Sequence, residues 1–475
     1  MKFIIILFVF ISTIGFSQEN QPLSKSQMYA DFDFLVSKIE QVSPHLIPKK
    51  ILFKDSILTK IKGYRKEIDT INSSTSFWYL ISRSLQTCQD GHTSIRTKNE
   101  NFTAFKNFKL NLPFKYINGD YISIKPFSYL GKVYPIGTIV TKVNGVFINK
   151  FMQSQTQFRY FMKFDVSRKQ YYYDAFYTTD VIALAGKINI TLQNLDNTNS
   201  QLKLKTSDTI SILKTNADYS SIKYVDYWQA EKILYIRVPA MDYDDIDFYK
   251  SQIIKQAKDK QIDKIIIDIR NNLGGSDAVW KEIYETIIDK PVSYSLKLIG
   301  NNPNYMLDEY LNEHEIDLNK IKKEELSYLD NKEYYVFADE ITTLNPTEYS
   351  IHHKGKIIVI GNENIYSSAG SCMLLPNSNK NDNFISLGRK TGRFLGGGFD
   401  PIEMKLPNSK IDFSIEPAID VTNCKKTIDI MHDNYEYEIP ISIKEFEDKF
   451  NYNGSIWSKE FMLQNDPFIK KAIEL

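Results

Sequence analysis

Three short apolar runs constrain this chain more than any other feature. Lys232-Ile-Leu-Tyr-Ile-Arg-Val238, Lys264-Ile-Ile-Ile-Asp-Ile-Arg270 and Lys356-Ile-Ile-Val-Ile-Gly361 are rich in β-branched residues and too short for helices, so each is expected to be a buried strand. Residues 242–260 and 276–288, which follow the first two runs, carry helical periodicity. Strand, helix, strand, helix implies an α/β layer. The acidic cluster Asp242, Asp244, Asp245 and Asp247 suits a helix N-terminus, which favours negative charge. It has neither the central glycine nor the terminal glutamate of a calcium loop, so no metal is expected there.

The third run leads into Asn362-Glu-Asn-Ile-Tyr-Ser-Ser-Ala-Gly-Ser-Cys-Met-Leu-Leu375, a polar loop followed by small residues that open an apolar segment. Strand, turn and helix are predicted, with Ser367 or Ser368 at the helix mouth. A serine there commonly caps the helix. The same place suits a nucleophile, because free backbone N–H groups and the helix dipole face any anion that forms. After the second run, Arg270-Asn-Asn-Leu-Gly-Gly275 is either a short βα loop or a second source of oxyanion donors, with Ser276 capping the next helix.

The flanks divide the rest. Residues 1–17 have one lysine, an apolar core and then small residues, the pattern of a secretory leader, and no later run is long enough to span a membrane. An exported product, periplasmic or extracellular, without membrane insertion is expected. Residues 18–102 read as a helical cap ending at Asp90-Gly-His-Thr93, which puts His92 on a tight turn; His45 has no such setting and is taken as structural. Residues 103–220 read as a small β-domain with an Asn144-Gly145 hairpin turn, and its Gly137-to-Gly145 stretch is similar to a PDZ signature. The α/β core is placed at 221–440 and a helical tail at 441–475. A tract of Asn, Glu and Tyr from about 300 to 343 suggests an insertion or lid. The glycine-rich run at 385–399 lacks the residue order of a phosphate loop.

With 475 residues, 42% of them hydrophobic, the chain can fill at least two cores. A net charge of +1, from 59 basic and 58 acidic residues, gives no global field to recruit nucleic acid. Three cysteines, Cys88, Cys372 and Cys424, cannot form a disulfide framework.

In order, these pieces resemble the tail-specific, C-terminal-processing and tricorn-core serine peptidases of family S41, whose retinoid-binding relatives share the fold. The most specific match is Asp268-Ile-Arg-Asn-Asn-Leu-Gly-Gly275, similar to the family's D-L-R-x-N-x-G-G; Asp90-Gly-His-Thr93, Ser368-Ala-Gly370 and the tail Asn465-to-Ile473 add to it. The resemblance implies a multidomain α+β protein with a ClpP/crotonase-like protease core, a helical cap and a PDZ-like domain. It places the nucleophile on Ser368, oxyanion donors on Ala369, Gly274 and Gly275, and the base on His92. Where other members carry a lysine base this chain has Arg393, which stays protonated, and Lys390 is an alternative base only if the loop differs. Glu416 is the expected orienting partner of His92, with Asp420 behind it, and a salt-bridged loop acid is the other reading of Glu416. Polypeptides are the implied substrate, with no cofactor and no metal. A non-catalytic binder of peptide or lipid is the alternative.

Overall fold

Helix α1 (Lys25–Val42) starts where Ser24 and Gln27 exchange side-chain and backbone hydrogen bonds in a capping box. Its Met28, Phe32, Leu35, Val36, Ile39 and Val42 recur at three- and four-residue spacing and are buried. Helices α2 (Leu46–Phe53), α3 (Ile57–Gly63) and α4 (Ser74–Gln86) complete the helical part. The computed structural model describes residues 23–53, 57–88, 90–96, 111–154, 163–165, 167–168, 170–176, 186–205, 207–301, 308–313, 316–330, 332–379, 383–389, 400–431 and 435–475. The expected leader, Lys390, Arg393 and the glycines at 396–398 lie outside them.

After α4 the chain turns through His92 into the short strand β1 (Ser94–Ile95). An antiparallel sheet follows, from β2 (Phe114–Ile117), β3 (Asp120–Ser123), β4 (Ile139–Val143), β7 (Lys187–Gln193) and β8 (Asn199–Lys205), in the spatial order β8-β7-β4-β3-β2. Along β7 and β8, Ile188, Ile190, Leu192, Leu202 and Leu204 point inward and polar residues alternate outward, so burial fixes the register. The expected Asn144-Gly145 turn is present and joins β4 to Val146–Phe147. Between β4 and β7 lies a hairpin of β5 (Lys163–Asp165) and β6 (Gln170–Tyr172). It is tied to β2 where Tyr116 N–H donates to Asp174 O at 2.9 Å and Phe176 N–H to Phe114 O at 3.1 Å.

The core is a six-stranded sheet. The edge strand β9 (Tyr224–Trp228) is antiparallel to β10 (Ile233–Arg237), and β11 (Lys264–Asp268), then Lys356–Ile360, Phe384–Gly388 and Tyr437–Glu438 continue it in parallel. Alternate residues face opposite sides. Leu234, Ile236, Ile265, Ile267, Ile357 and Val359 pack on helices α5 (Ile246–Ala257) and α6 (Asp277–Ile287). Tyr235, Ile266, Ile358 and Ile360 pack on the C-terminal helices, including Lys459–Asn465 and Pro467–Glu474. Each fully buried isoleucine contributes about 1.5–3 kcal/mol, so the three predicted runs anchor both layers.

Two expectations change. The 242–260 helix begins only at Ile246, after a 3-10 turn at Tyr243–Asp245, because the Asp242 side chain accepts the Asp244 N–H and closes a turn of its own. The tract expected as an insertion or lid also carries strands that the sequence reading did not place. Strands β12 (Val292–Gly300), β13 (Lys322–Leu326) and β14 (Lys332–Leu344) pair antiparallel, and Leu326, Leu329, Tyr334 and Val336 are buried against Ile299 and Ile419. Polar composition hid the pattern, because one face of this sheet is wet.

Candidate active site

Adjacent parallel strands deliver two of the site's loops. β11 and the next strand, β15 (Lys356–Ile360), run side by side, so the loops at 270–275 and 361–367 leave the same carboxyl edge of the sheet. Three asparagines join these loops. Asn271 N–H donates to Asn362 Oδ1 at 2.9 Å, and the amides of Asn362 and Asn364 donate to Asn271 Oδ1 at 2.8 and 3.0 Å. Asn272 adds bonds on either side, donating to Val238 O and accepting Tyr366 N–H, both at 3.0 Å.

Gly274 and Gly275 have φ of +103° and +132°, which L-residues rarely adopt. Close approach also excludes a side chain: a Cβ on Gly274 would lie 2.7 Å from Ser367 Cβ and 3.0 Å from Ser368 N, and one on Gly275 2.1 Å from Met241 O. Gly274 is thus pressed against the serine loop and Gly275 against Met241. Gly274 N–H donates to Asn272 Oδ1 at 2.8 Å, whereas Gly275 N–H has no partner among the described residues.

The serine pair resolves clearly. Ser367 occupies the cap position with φ +54° and ψ −127°, a strained conformation for a residue with a side chain, and its hydroxyl makes no cap bond. Ser368 is the first helical residue, 4% exposed, and its Oγ has no hydrogen-bond partner among the described residues. Ala369 N–H donates to Tyr366 O at 3.1 Å. The expected helix is broken in two, α7 (Ser368–Ser371) and α8 (Leu374–Ser378). Pro376 has no N–H to give Cys372 O, which accepts Tyr284 Oη at 3.1 Å instead. A four-residue helix has little macrodipole, so any anion stabilisation here rests on local N–H groups rather than on a long helix.

His92 and Glu416, 324 residues apart in sequence, form a hydrogen-bonded pair between Nδ1 and the carboxylate Oε2. β1 causes the meeting: it pairs antiparallel with β16 (Asp412–Ile415), Ser94 opposite Ser414, so the residue two before Ser94 faces the residue two after Ser414. Ser414 Oγ donates to His92 O at 2.6 Å, Glu416 N–H to Thr93 Oγ1 at 3.1 Å, and Thr93 N–H to Asp90 Oδ1 at 2.5 Å. Glu416 Oε1 accepts Ala418 N–H at 3.2 Å. Burial opposes a charged imidazole at His92, but the bond to Glu416 and the charges of Glu416 and Asp90 outweigh it and raise its pKa above 6.5. Burial likewise raises Glu416, against the pull of His92. The Tyr366 ring stands edge-on to His92, centroids 5.0 Å apart.

Asp420 is not part of this pair; its Oδ1 accepts Thr422 N–H at 2.8 Å. His45, placed by sequence as structural, has Nε2 3.1 Å from Ala418 O. Among the described residues, no cluster of His, Cys, Asp and Glu could hold a metal, and no helix is long and apolar enough to cross a membrane. The asparagine knot and the edge-on Tyr366 were missed in sequence, and the alternation of Asn362 and Asn364 before the serine was the only available signal.

The fold is of the multidomain α+β class, and part of it matches a known family model. The model of peptidase family S41 matches residues 232–411, which hold most of the core sheet and both loops of the site. The chain is similar in fold to mature CPAF, with 12% identity, 95% of this chain and 98% of that one covered and a TM-score of 0.56. It is similarly related to mature CPAF complexed with lactacystin, with 13% identity, 95% and 99% covered and a TM-score of 0.55. No curated protein matches the chain in sequence.

Proposed function

We propose that the chain is an exported serine peptidase that hydrolyses polypeptides through an acyl-enzyme on Ser368. The observation that carries this is the pairing of partly buried His92 with buried Glu416, assembled beside the Tyr366-Ser367-Ser368 loop. A serine hydroxyl needs a base that titrates near neutrality, and the base needs a partner on its other nitrogen. Glu416 accepts the Nδ1 proton, leaving Nε2 as the acceptor for the Ser368 hydroxyl. In the reaction Ser368 Oγ loses its proton to Nε2 and bonds to the scissile carbonyl carbon. The imidazolium then returns that proton to the leaving amine, and water repeats the cycle to release the acid. Gly275 N–H is the uncommitted oxyanion donor; those of Ala369 and Gly274 serve by exchanging their present acceptors.

A second assignment is supported by the unpartnered Ser368 Oγ: a binder of peptide or lipid on the same fold. Reaction of the protein lacking its leader with a fluorophosphonate probe separates the two. Labelling that disappears in Ser368→Ala and falls sharply in His92→Ala is expected. Labelling that persists in Ser368→Ala would remove Ser368 as nucleophile, and no labelling of the wild type together with a co-purified ligand would favour the binder.

A further inference from the structure

A buried ion cluster joins the β-domain to the serine loop. Lys115 Nζ, from β2, lies 3.0 Å from Asp174 Oδ2 and 3.2 Å from Glu363 Oε1. Lys163 Nζ, from β5, donates to Glu363 O at 2.8 Å and to Asn364 Oδ1 at 3.4 Å, and is 3.5 Å from Asp174 Oδ1. Lys115, Lys163 and Glu363 are all at least nine-tenths buried. Two cations and two anions leave the cluster neutral, which is how Lys115, Lys163 and Glu363 stay charged while buried, with Asp174 partly exposed at the edge.

Its location gives it a role. Glu363 and Asn364 begin the loop that ends at Ser368, and Asn364 is also bonded to Asn271 of the double-glycine loop. The Lys163 ammonium therefore grips the outer end of the knot that holds both loops. Besides the asparagine knot, the loop is held by Gly361 N–H to Leu387 O at 3.0 Å, Ile365 N–H to Asn362 O at 3.2 Å, Tyr366 N–H to Asn272 O at 3.0 Å, and Gly370 and Ser371 N–H to Ser367 O at 2.7 and 3.0 Å. These bonds together must hold Ser367 at a strained φ of +54°. Strain of that kind lasts only where the surroundings over-determine it.

We propose that Lys163 is a positioning residue for Ser368, so that the β5–β6 hairpin is a working part of the peptidase site rather than an appended module. The proposal rests on Ser368 being the nucleophile. Lys163 touches no reacting atom; it fixes the carbonyl and side chain from which the loop hangs. A displacement near 1 Å in a nucleophile can cost about a hundredfold in rate.

The test compares wild type, Lys163→Met, Lys163→Arg and the charge-balanced pair Lys163→Met/Asp174→Asn, which keeps Lys115 opposite Glu363. Each is assayed for the fluorophosphonate labelling rate and for kcat and KM on a denatured protein substrate, at a temperature where circular dichroism shows it folded. The expected result is a labelling rate and kcat about a hundredfold lower in both methionine variants, KM little changed, and partial recovery in Lys163→Arg. A folded charge-balanced variant that labels at the wild-type rate would overturn the proposal, as would a loss confined to KM. Failure of the wild type itself to label would instead overturn the assignment of Ser368.

Discussion

Replacing Glu416 by glutamine tests the proposed base with one atom changed. Ala418 N–H donates to Oε1, and His92 Nδ1 bonds to Oε2. The amide oxygen of the glutamine must stay on the Ala418 side to keep that bond, which turns its NH2 toward Nδ1. An NH2 group donates, so Nδ1 becomes the acceptor and the single imidazole proton moves to Nε2, where it blocks acceptance from Ser368. Loss of charge alone, a charge-assisted bond weakened to a neutral one, would cost about 1–2 kcal/mol, or roughly 5–30-fold. The wrong tautomer costs far more, about 10⁴-fold in the worked serine-protease example. Glu416→Gln should therefore lower kcat/KM by about 10³-fold or more. With the Glu416 charge gone, burial and Arg96 are opposed only by the Asp90 charge, so the acid limb of the residual pH profile should move to lower pH. The assay is kcat/KM on a denatured protein substrate from about pH 5 to 9. A loss of tenfold or less, or an acid limb that moves up, would refute the tautomer argument.

Gly275→Ala should lower unfolding free energy by about 3 kcal/mol, since its Cβ meets a backbone carbonyl at a φ of +132°; an unchanged urea midpoint would contradict this. Asp466→Ala should cost about 3–5 kcal/mol, because Asp466 is bonded to buried Arg270 at 2.6 Å and caps the final helix, and a loss under about 1 kcal/mol would mean Asp268 alone suffices for Arg270. His92 and Glu416 both have pKa values raised on folding, so the native state binds more protons, and their contribution to stability is largest at low pH and lost as pH rises through the folded values. The stability difference between wild type and His92→Gln/Glu416→Gln should therefore decline from about pH 5 to 8 in denaturant melts, and a rising difference would reverse the assignment.

Much of this was legible in the chain because local pattern and global fold agree. The three apolar runs are all strands of one sheet, since a run of buried isoleucines has no stable alternative to a doubly covered strand. The glycine pair was legible for a similar reason: Gly274 and Gly275 answer to backbone angles and contacts that permit little else. What local pattern could not supply was set by tertiary pairing. Glu416 was expected beside His92 from the family resemblance alone, since nothing near it announces a histidine; the two meet because a two-residue strand pairs at Ser414. Lys115 and Lys163 look like ordinary strand lysines until Glu363 arrives from another part of the chain. The commitment of Gly274 and Ala369 N–H groups to Asn272 and Tyr366 likewise depends on loop geometry that composition does not encode.

Ser367 offers a way to separate stability from reactivity at one residue. At φ +54° and ψ −127° it carries strain of about 1–3 kcal/mol that glycine would not feel. Glycine in turn adds about 0.4–1 kcal/mol of chain entropy to the unfolded state. The difference favours the variant, so Ser367→Gly should raise unfolding free energy by about 0.5–2 kcal/mol. The loop would then be free to take other backbone angles, and Ser368 would lose the orientation imposed on it by its neighbour. Slower fluorophosphonate labelling in a more stable protein is the expected pair of results, the usual opposition between a strained site and the stability of its fold. A lower midpoint would show that the Ser367 side chain contributes more than its backbone costs. A higher midpoint with unchanged labelling would show that the strain holds nothing the reaction needs.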